Sequence, residues 1–306
     1  MFYRLKKKIR AKYREATPIQ LLVAYYGIAT IITFGLLCLP WIKLPDAPET
    51  TLLDNLFMAI STISVTGLST FPIDQVYNEY GVILLEILFQ VGGFGVTMLA
   101  TVAMVLTGRR IGLHQRQLIQ FDMNQPRLSG MVKLVTSVFG LMIMVQVVFG
   151  LLFSLYFTWR HVYDNFSAAL FHGMYISISA VTNAGFDVTG DSIAPFRQDY
   201  VFLMIIMVLV IIGSIGYPVL TEIEAWFFYK LRYRGLRKFR FSLFCKLAVF
   251  FAAIFTVVGT ILLYLSENGG LHLRADSLHN FMSAMFYSVS SRNAGLQINS
   301  MNDFNH

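Results

Sequence analysis

Three segments of the sequence end in the same small-residue turn around one glycine, and such a turn is suited to holding a dehydrated cation. They read DNLFMAISTISVTGLSTFPID from Asp54, DNFSAALFHGMYISISAVTNAGFDVTGD from Asp164 and DSLHNFMSAMFYSVSSRNAGLQINSMND from Asp276. Each opens with Asp followed by Asn or Ser. A short amphipathic stretch rich in Phe, Met, Ala and Ser comes next, then the turn at Gly67, Gly185 or Gly295. Leu68, Phe186 or Leu296 follows, and after it a polar stretch containing an acid. The glycines lie 118 and 110 positions apart, a spacing that marks repeated architecture. Glycine tolerates positive φ and leaves room beside the backbone. A glycine turn after a half-helix aims several carbonyls inward, and a ring of such turns can replace the water shell of an ion. The half-helix C-terminus adds partial negative charge at the same point. A single turn of this kind is more readily an ordinary Gly/Ser turn or a small-residue helix contact. Three at matching places favour an ion site, because unsatisfied backbone is expensive in lipid.

The elements that position these turns are legible from composition. Of 306 residues, 56% are hydrophobic and 13% charged, and the mean hydropathy is +0.61. A soluble chain of this size needs far more polar surface. Apolar runs at 19–39, 80–106, 132–157, 201–229 and 242–265 are each near or above the roughly 20 residues that cross a bilayer. They are read as five spanning helices, the fourth kinked at Pro218. The half-helices, of about 10 to 15 residues, dip into the membrane without crossing it, and their Asp-Asn or Asp-Ser starts suit N-caps. The expected fold is an all-α integral membrane protein, with repeated units of outer helix, re-entrant pore loop and inner helix around one ion pore. The expected divisions are a cytoplasmic N-terminus at 1–17 and pore repeats at 18–110, 111–235 and 236–306.

The formal charge of +7 would suggest nucleic acid only if its distribution were ignored. Lys and Arg cluster at 4–14, 109–133 and 230–246, which hold 19 of the 24. The positive-inside rule assigns these loops and the N-terminus to the cytoplasm, where they also suit anionic lipid. Twelve of the 17 acids fall in the alternate loops. Cys38 and Cys245 would then lie at opposite faces, in packing roles. Arg292 is expected to brace the third turn from behind, against an acid. Glu86 either pairs with such a group or sits near the interface, and Glu222 and Glu224 pair with the basic loop after Lys230. Trp41, Trp159 and Trp226 fall at span ends. The histidines His161, His172, His272 and His279 form no metal-ligand grouping. No P-loop, nucleophile elbow or zinc-protease motif is present, so an intramembrane enzyme is disfavoured.

ISVTGLST, AVTNAGFD and SSRNAGL resemble the successive filter loops of the Trk/Ktr/HKT superfamily of cation transporters. Gln90-Val91-Gly92-Gly93-Phe94-Gly95 and Gly213-Ser214-Ile215-Gly216-Tyr217-Pro218 are similar to its glycine-rich inner helices. The compact loops look most like the bacterial Ktr branch. The resemblance implies potassium uptake across the cell membrane through a backbone-carbonyl selectivity filter. Carbonyls at Val65, Thr66, Asn183, Ala184, Asn293 and Ala294, with Gly67, Gly185 and Gly295, would line it. Glycine at position 67 resembles the potassium-conducting type, where serine would suggest sodium. K+ is the transported ion and Na+ coupling stays open, with no other metal expected. The resemblance also implies a homodimer on a cytosolic ring of nucleotide-binding regulatory subunits. Four repeats are expected in this family. The sequence carries three filter loops, and the reading expects the third inner helix and fourth repeat to be missing. The alternatives are sodium or poorly selective monovalent cation transport, or a non-conducting fragment that requires a full-length partner.

Overall fold

The computed structural model describes residues 16–109, 111–123, 129–186, 192–233, 239–267 and 277–298. The basic block 4–14, Arg110, Arg127, Asp187, Asp191, 234–238, His272, Asp276 and 299–306 lie outside the described residues. The described chain is helical, as long apolar runs must be where lipid offers the backbone no partner. A first unit comprises α1 (Pro18–Leu37), α2 (Leu52–Ser64), a short α3 (Ile73–Val76) and α4 (Glu79–Phe94), which α5 (Val96–Leu106) continues. Helix α6 (Leu113–Asp122) leads to a second unit of α7 (Met131–Trp159), α8 (Phe166–Thr182) and α9 (Tyr200–Ser214), continued by α10 (Tyr217–Tyr233). A third begins with α11 (Leu243–Glu267) and α12 (Ser277–Asn293).

Helices α1, α7 and α11 are continuous and long and apolar enough to cross a bilayer; the total is five if each bent pair is one span. The runs 80–106 and 201–229 are not straight spans. Each breaks sharply, α4 to α5 by 96° and α9 to α10 by 112°. The breaks occur at Gly95 (φ 79) and Gly216 (φ 97), in a backbone region that L side chains rarely enter. Pro218 therefore does not make the second bend. It lies in the first turn of α10, where its missing N–H costs nothing. Side chains such as Ile31 and Leu262 are 71% and 62% exposed, as lipid-facing helices require. The chain is a multi-pass membrane protein.

The half-helices start at defined caps. Helix α2 begins before the expected Asp54, with Thr51 as N-cap. The Thr51 hydroxyl accepts from the Asp54 N–H at 3.1 Å, while the Asp54 carboxylate accepts from the Thr51 N–H at 3.0 Å and hydroxyl at 2.7 Å. This is a reciprocal box of the type that satisfies orphan donors, and the Thr51 donors hold the Asp54 carboxyl below its usual range. Helix α8 starts after Asn165 of the Asp-Asn pair, but the Asn165 side chain makes no capping hydrogen bond.

Units lock through the half-helix of the second. Helix α8 packs on α7, α9 and α4, and α12 packs on α11 and α9. Between the first two units, Gln90 and Gln146 pair side chain to side chain, at 2.9 and 3.1 Å. Gln146 is buried, and its carbonyl accepts from the Ser177 hydroxyl at 2.9 Å. Truncating one amide strands the other in an apolar setting, whereas removing both does not. Gln90→Leu alone is expected to cost about 1–3 kcal/mol, and Gln90→Leu with Gln146→Leu less than the sum of the singles. A double-mutant cycle on thermal unfolding in detergent measures this; additive losses would show that the pair is not coupled.

Candidate functional site

The three glycine turns, far apart in sequence, meet at one point. In the first, α2 ends at Ser64, Val65 takes the left-handed conformation (φ 55), and the Thr66 N–H donates to the Ser61 carbonyl at 3.0 Å. The second repeats this: Asn183 has φ 58, and the Ala184 N–H donates to the Ser179 carbonyl at 2.9 Å. The third departs from the pattern. Helix α12 extends through Asn293, and the Ser290 carbonyl accepts from both Ala294 (2.8 Å) and Gly295 (3.2 Å). Gly67, Gly185 and Gly295 have φ of 71, 65 and 66.

The approach of the turns is too close for a side chain. A Cβ on Gly67 would lie 2.3 Å from the Ala184 carbonyl oxygen, and one on Gly185 would lie 2.2 Å from that of Ala294. A Cβ on Gly295 would be 3.7 Å from the Thr66 oxygen and 3.6 Å from Gly185 Cα. The carbonyl preceding each glycine thus lies against the glycine of another turn. Three helix C-termini converge there, bringing the partial negative charge of their unpaired carbonyls. Oxygen ligands without thiolate or imidazole suit a hard cation.

The inner-helix glycines sit directly behind these turns, which the motifs alone do not reveal. A Cβ on Gly92 would meet the Ile63 carbonyl at 2.5 Å, and one on Gly93 would meet Thr182 Cβ at 2.9 Å. Gly213 likewise faces the Val181 carbonyl, at 2.1 Å. Helix α4 therefore backs the turns of both the first and second units.

Serines complete the frame. The Ser61 hydroxyl accepts from the Leu68 N–H at 3.0 Å and donates to the Leu68 carbonyl at 2.6 Å, and the Ser290 hydroxyl donates to the Leu296 carbonyl at 2.6 Å. These residues were overlooked in sequence, although Ser61 and Ser179 both stand six places before their glycines. The buried Ser179 hydroxyl has no such partner among the described residues; Phe186 is held by stacking on Phe89, ring centroids 6.0 Å apart.

Arg292 points away from the glycines. Its Nε donates to the Ser288 carbonyl at 2.9 Å and its Nη2 to the Thr256 hydroxyl at 2.7 Å. It braces the turn from behind, but on α11 through a hydroxyl rather than an acid. Glu86 makes no ion pair among the described residues. Glu222 accepts from the Ser242 N–H at 2.9 Å and Glu224 from the Ser137 hydroxyl at 2.5 Å; several of the basic residues expected to pair with them after Lys230 lie outside the described residues. His172 stacks on Tyr163. Trp226 lies in the second half of α10, beneath Lys230.

The serine arrangement gives an asymmetric expectation. Ser61→Ala and Ser290→Ala should each cost about 1–3 kcal/mol, while Ser179→Ala, which strands no partner among the described residues, should cost less than either. Thermal unfolding of the three variants in detergent checks it, and equal losses would refute the assigned bonds.

A family model described as a TrkH cation transport protein matches residues 6–305. Ktr system potassium uptake protein D of Bacillus subtilis is 36% identical over 293 residues, covering 95% of this chain and 63% of that protein. Potassium/sodium uptake protein NtpJ of Enterococcus hirae is 27% identical over 292 residues, covering 95% and 61%. Ktr system potassium uptake protein B of Vibrio alginolyticus is 27% identical over 293 residues, covering 94% and 60%. The chain spans less than two thirds of the length of these curated relatives.

Proposed function

The chain belongs to the TrkH family of cation transport proteins, and from that premise we propose that it forms the larger part of a potassium-conducting pore of a Ktr-type uptake system. The observation that carries the reading is the meeting of three glycine turns, with the Thr66, Ala184 and Ala294 carbonyls lying against Gly295, Gly67 and Gly185. Together with Val65, Asn183 and Asn293, these residues are the proposed filter. A cation entering it exchanges water oxygens for carbonyl oxygens, and the ion whose hydration is most closely matched passes. Transport, not catalysis, is the function of this site. The names of two relatives specify potassium uptake and that of a third potassium/sodium uptake.

The alternation of basic and acidic loops supports a cytoplasmic N-terminus and an acidic outer mouth that concentrates cations. The repeat divisions at 18–110, 111–235 and 236–306 follow from the same reading. Assembly as a homodimer on a nucleotide-binding regulatory ring follows from the likeness to the Ktr branch, with the basic loops as docking surface and anionic lipid as their other contact. Sodium coupling belongs to the same proposal. Leu68 is 61% exposed, whereas the corresponding Phe186 and Leu296 are 2% and 4% exposed. The fourth turn expected of the family, from this or another polypeptide, is proposed to pack there.

Growth at limiting potassium of cells lacking their own uptake systems tests this. Rescue by the 306 residues would show that the chain conducts unaided. Rescue only when a fourth repeat is supplied would show that it is one part of the pore. Failure in both cases, with the protein present in the membrane, would sink the potassium reading. Within a conducting assembly, Gly67→Ser should lower the preference for potassium over sodium on the order of tenfold, the equivalent of losing about 1.4 kcal/mol at one carbonyl. Competing rubidium and sodium fluxes measure it, and unchanged selectivity would remove Gly67 from the filter.

A further inference from the structure

The break in the first inner helix is held by side chains from other helices. Helix α5 starts after Gly95, which has no side chain to cap it, so the first N–H groups of α5 lack intrahelical partners. Asp122, the last residue of α6, reaches the first turn of α5. One of its carboxylate oxygens accepts from the Thr97 hydroxyl and lies 3.4 Å from where a Gly95 Cβ would be. The Tyr26 hydroxyl of α1 lies 3.3 Å from the same point and engages the Val96 backbone. From the other elbow, the Tyr217 hydroxyl donates to the Gly93 carbonyl at 3.4 Å. A carboxylate at a helix N-terminus is favoured by the dipole as well as by the bond.

Helix α6 is fixed in place. Its buried Leu118 and Ile119, with the following Met123, share their surroundings with α5 and α7, and Ile119 and Met123 join Met98, Val102, Met131 and Val135 in one apolar cluster. The elbow is only two residues beyond Gly93, and Gly92 and Gly93 touch the ends of α2 and α8.

We infer that Asp122 is a positioning residue for the pore: from α6 it holds the broken end of the first inner helix, and through it the Gly92-Gly93 segment that backs the first two glycine turns. The inference rests on the conduction reading for its consequence, not for its geometry. A load on α6, between two spans in a basic stretch, would reach the turns by this route without touching an ion.

Hydrogen–deuterium exchange on the purified chain in lipid nanodiscs tests the geometry without requiring transport. Asp122→Ala should speed exchange of the Val96–Met98 amides by about tenfold or more. Exchange at Thr66 and Ala184 should rise with it. Thr97→Val should do the same and Thr97→Ser should not, and Asp122→Ala with Thr97→Val should be no worse than the stronger single change. Unchanged exchange in Asp122→Ala, or an increase confined to 96–98, would overturn the inference. In a conducting assembly, Asp122→Ala should also lower the maximal rubidium uptake rate more than it raises the half-saturating concentration. An unaltered rate would likewise overturn it, whereas no uptake by the parent chain would count against the conduction reading alone.

Discussion

A carbonyl oxygen taken into lipid without a hydrogen-bond donor costs several kcal/mol, and each helix C-terminus presents up to four of them. Three half-helices in this chain end inside the membrane-embedded body, and all three ends point at the same place. Placing like partial charges together is unfavourable unless something positive is shared among them. A close assembly of carbonyls therefore makes sense as a cation site. It also sets a severe steric condition. The turns approach so nearly that no Cβ fits at Gly67 or Gly185, where it would fall 2.3 and 2.2 Å from a neighbouring oxygen.

Much of the remaining structure satisfies that condition from behind. Gly92, Gly93 and Gly213 remove side chains from the inner helices where these meet the half-helix ends, so the turns are backed by main chain rather than by mobile rotamers. Packing also has a direction. Phe186 of the second unit stacks on Phe89 of the first, and Leu296 of the third joins the cluster of Phe202 and Leu203 in the second. The residue after the second and third glycines thus anchors its turn to the preceding unit, whereas Leu68 after the first is exposed. Ala184 and Phe186 of the second turn and Ala294 and Leu296 of the third are all buried.

The membrane class, the apolar runs and the three turns were legible in the sequence because each is a local signal: length, composition and a glycine at a repeated position. The capping of α2 was misplaced by a few residues because Thr51 and Asp54 both suit the role, and only the reciprocal bonds decide between them. The sharp breaks at Gly95 and Gly216 were hidden because hydropathy does not change across them. An apolar run reads alike whether straight or bent. The glycine-rich motifs gave warning, but Pro218 drew attention from the glycine two places before it. The roles of Ser61, Ser290 and Arg292 depend on partners remote from any periodic pattern, Arg292 reaching Thr256 on a different helix.

The elbows give the two halves of the inner helices different work. The segment before each break is pressed against the turns, and the segment after it leaves at nearly a right angle. A straight helix transmits a push along its axis. A bent one with a glycine at the corner transmits it only if the corner is held. At Gly95 the holding groups come from three other helices: Tyr26 from α1, Asp122 from α6 and, through the Gly93 carbonyl, Tyr217 from α10. The corner is therefore held by several weak restraints from separate elements. Packed contacts thus run from α1, α6 and α10 through this corner to the segment that backs the glycine turns.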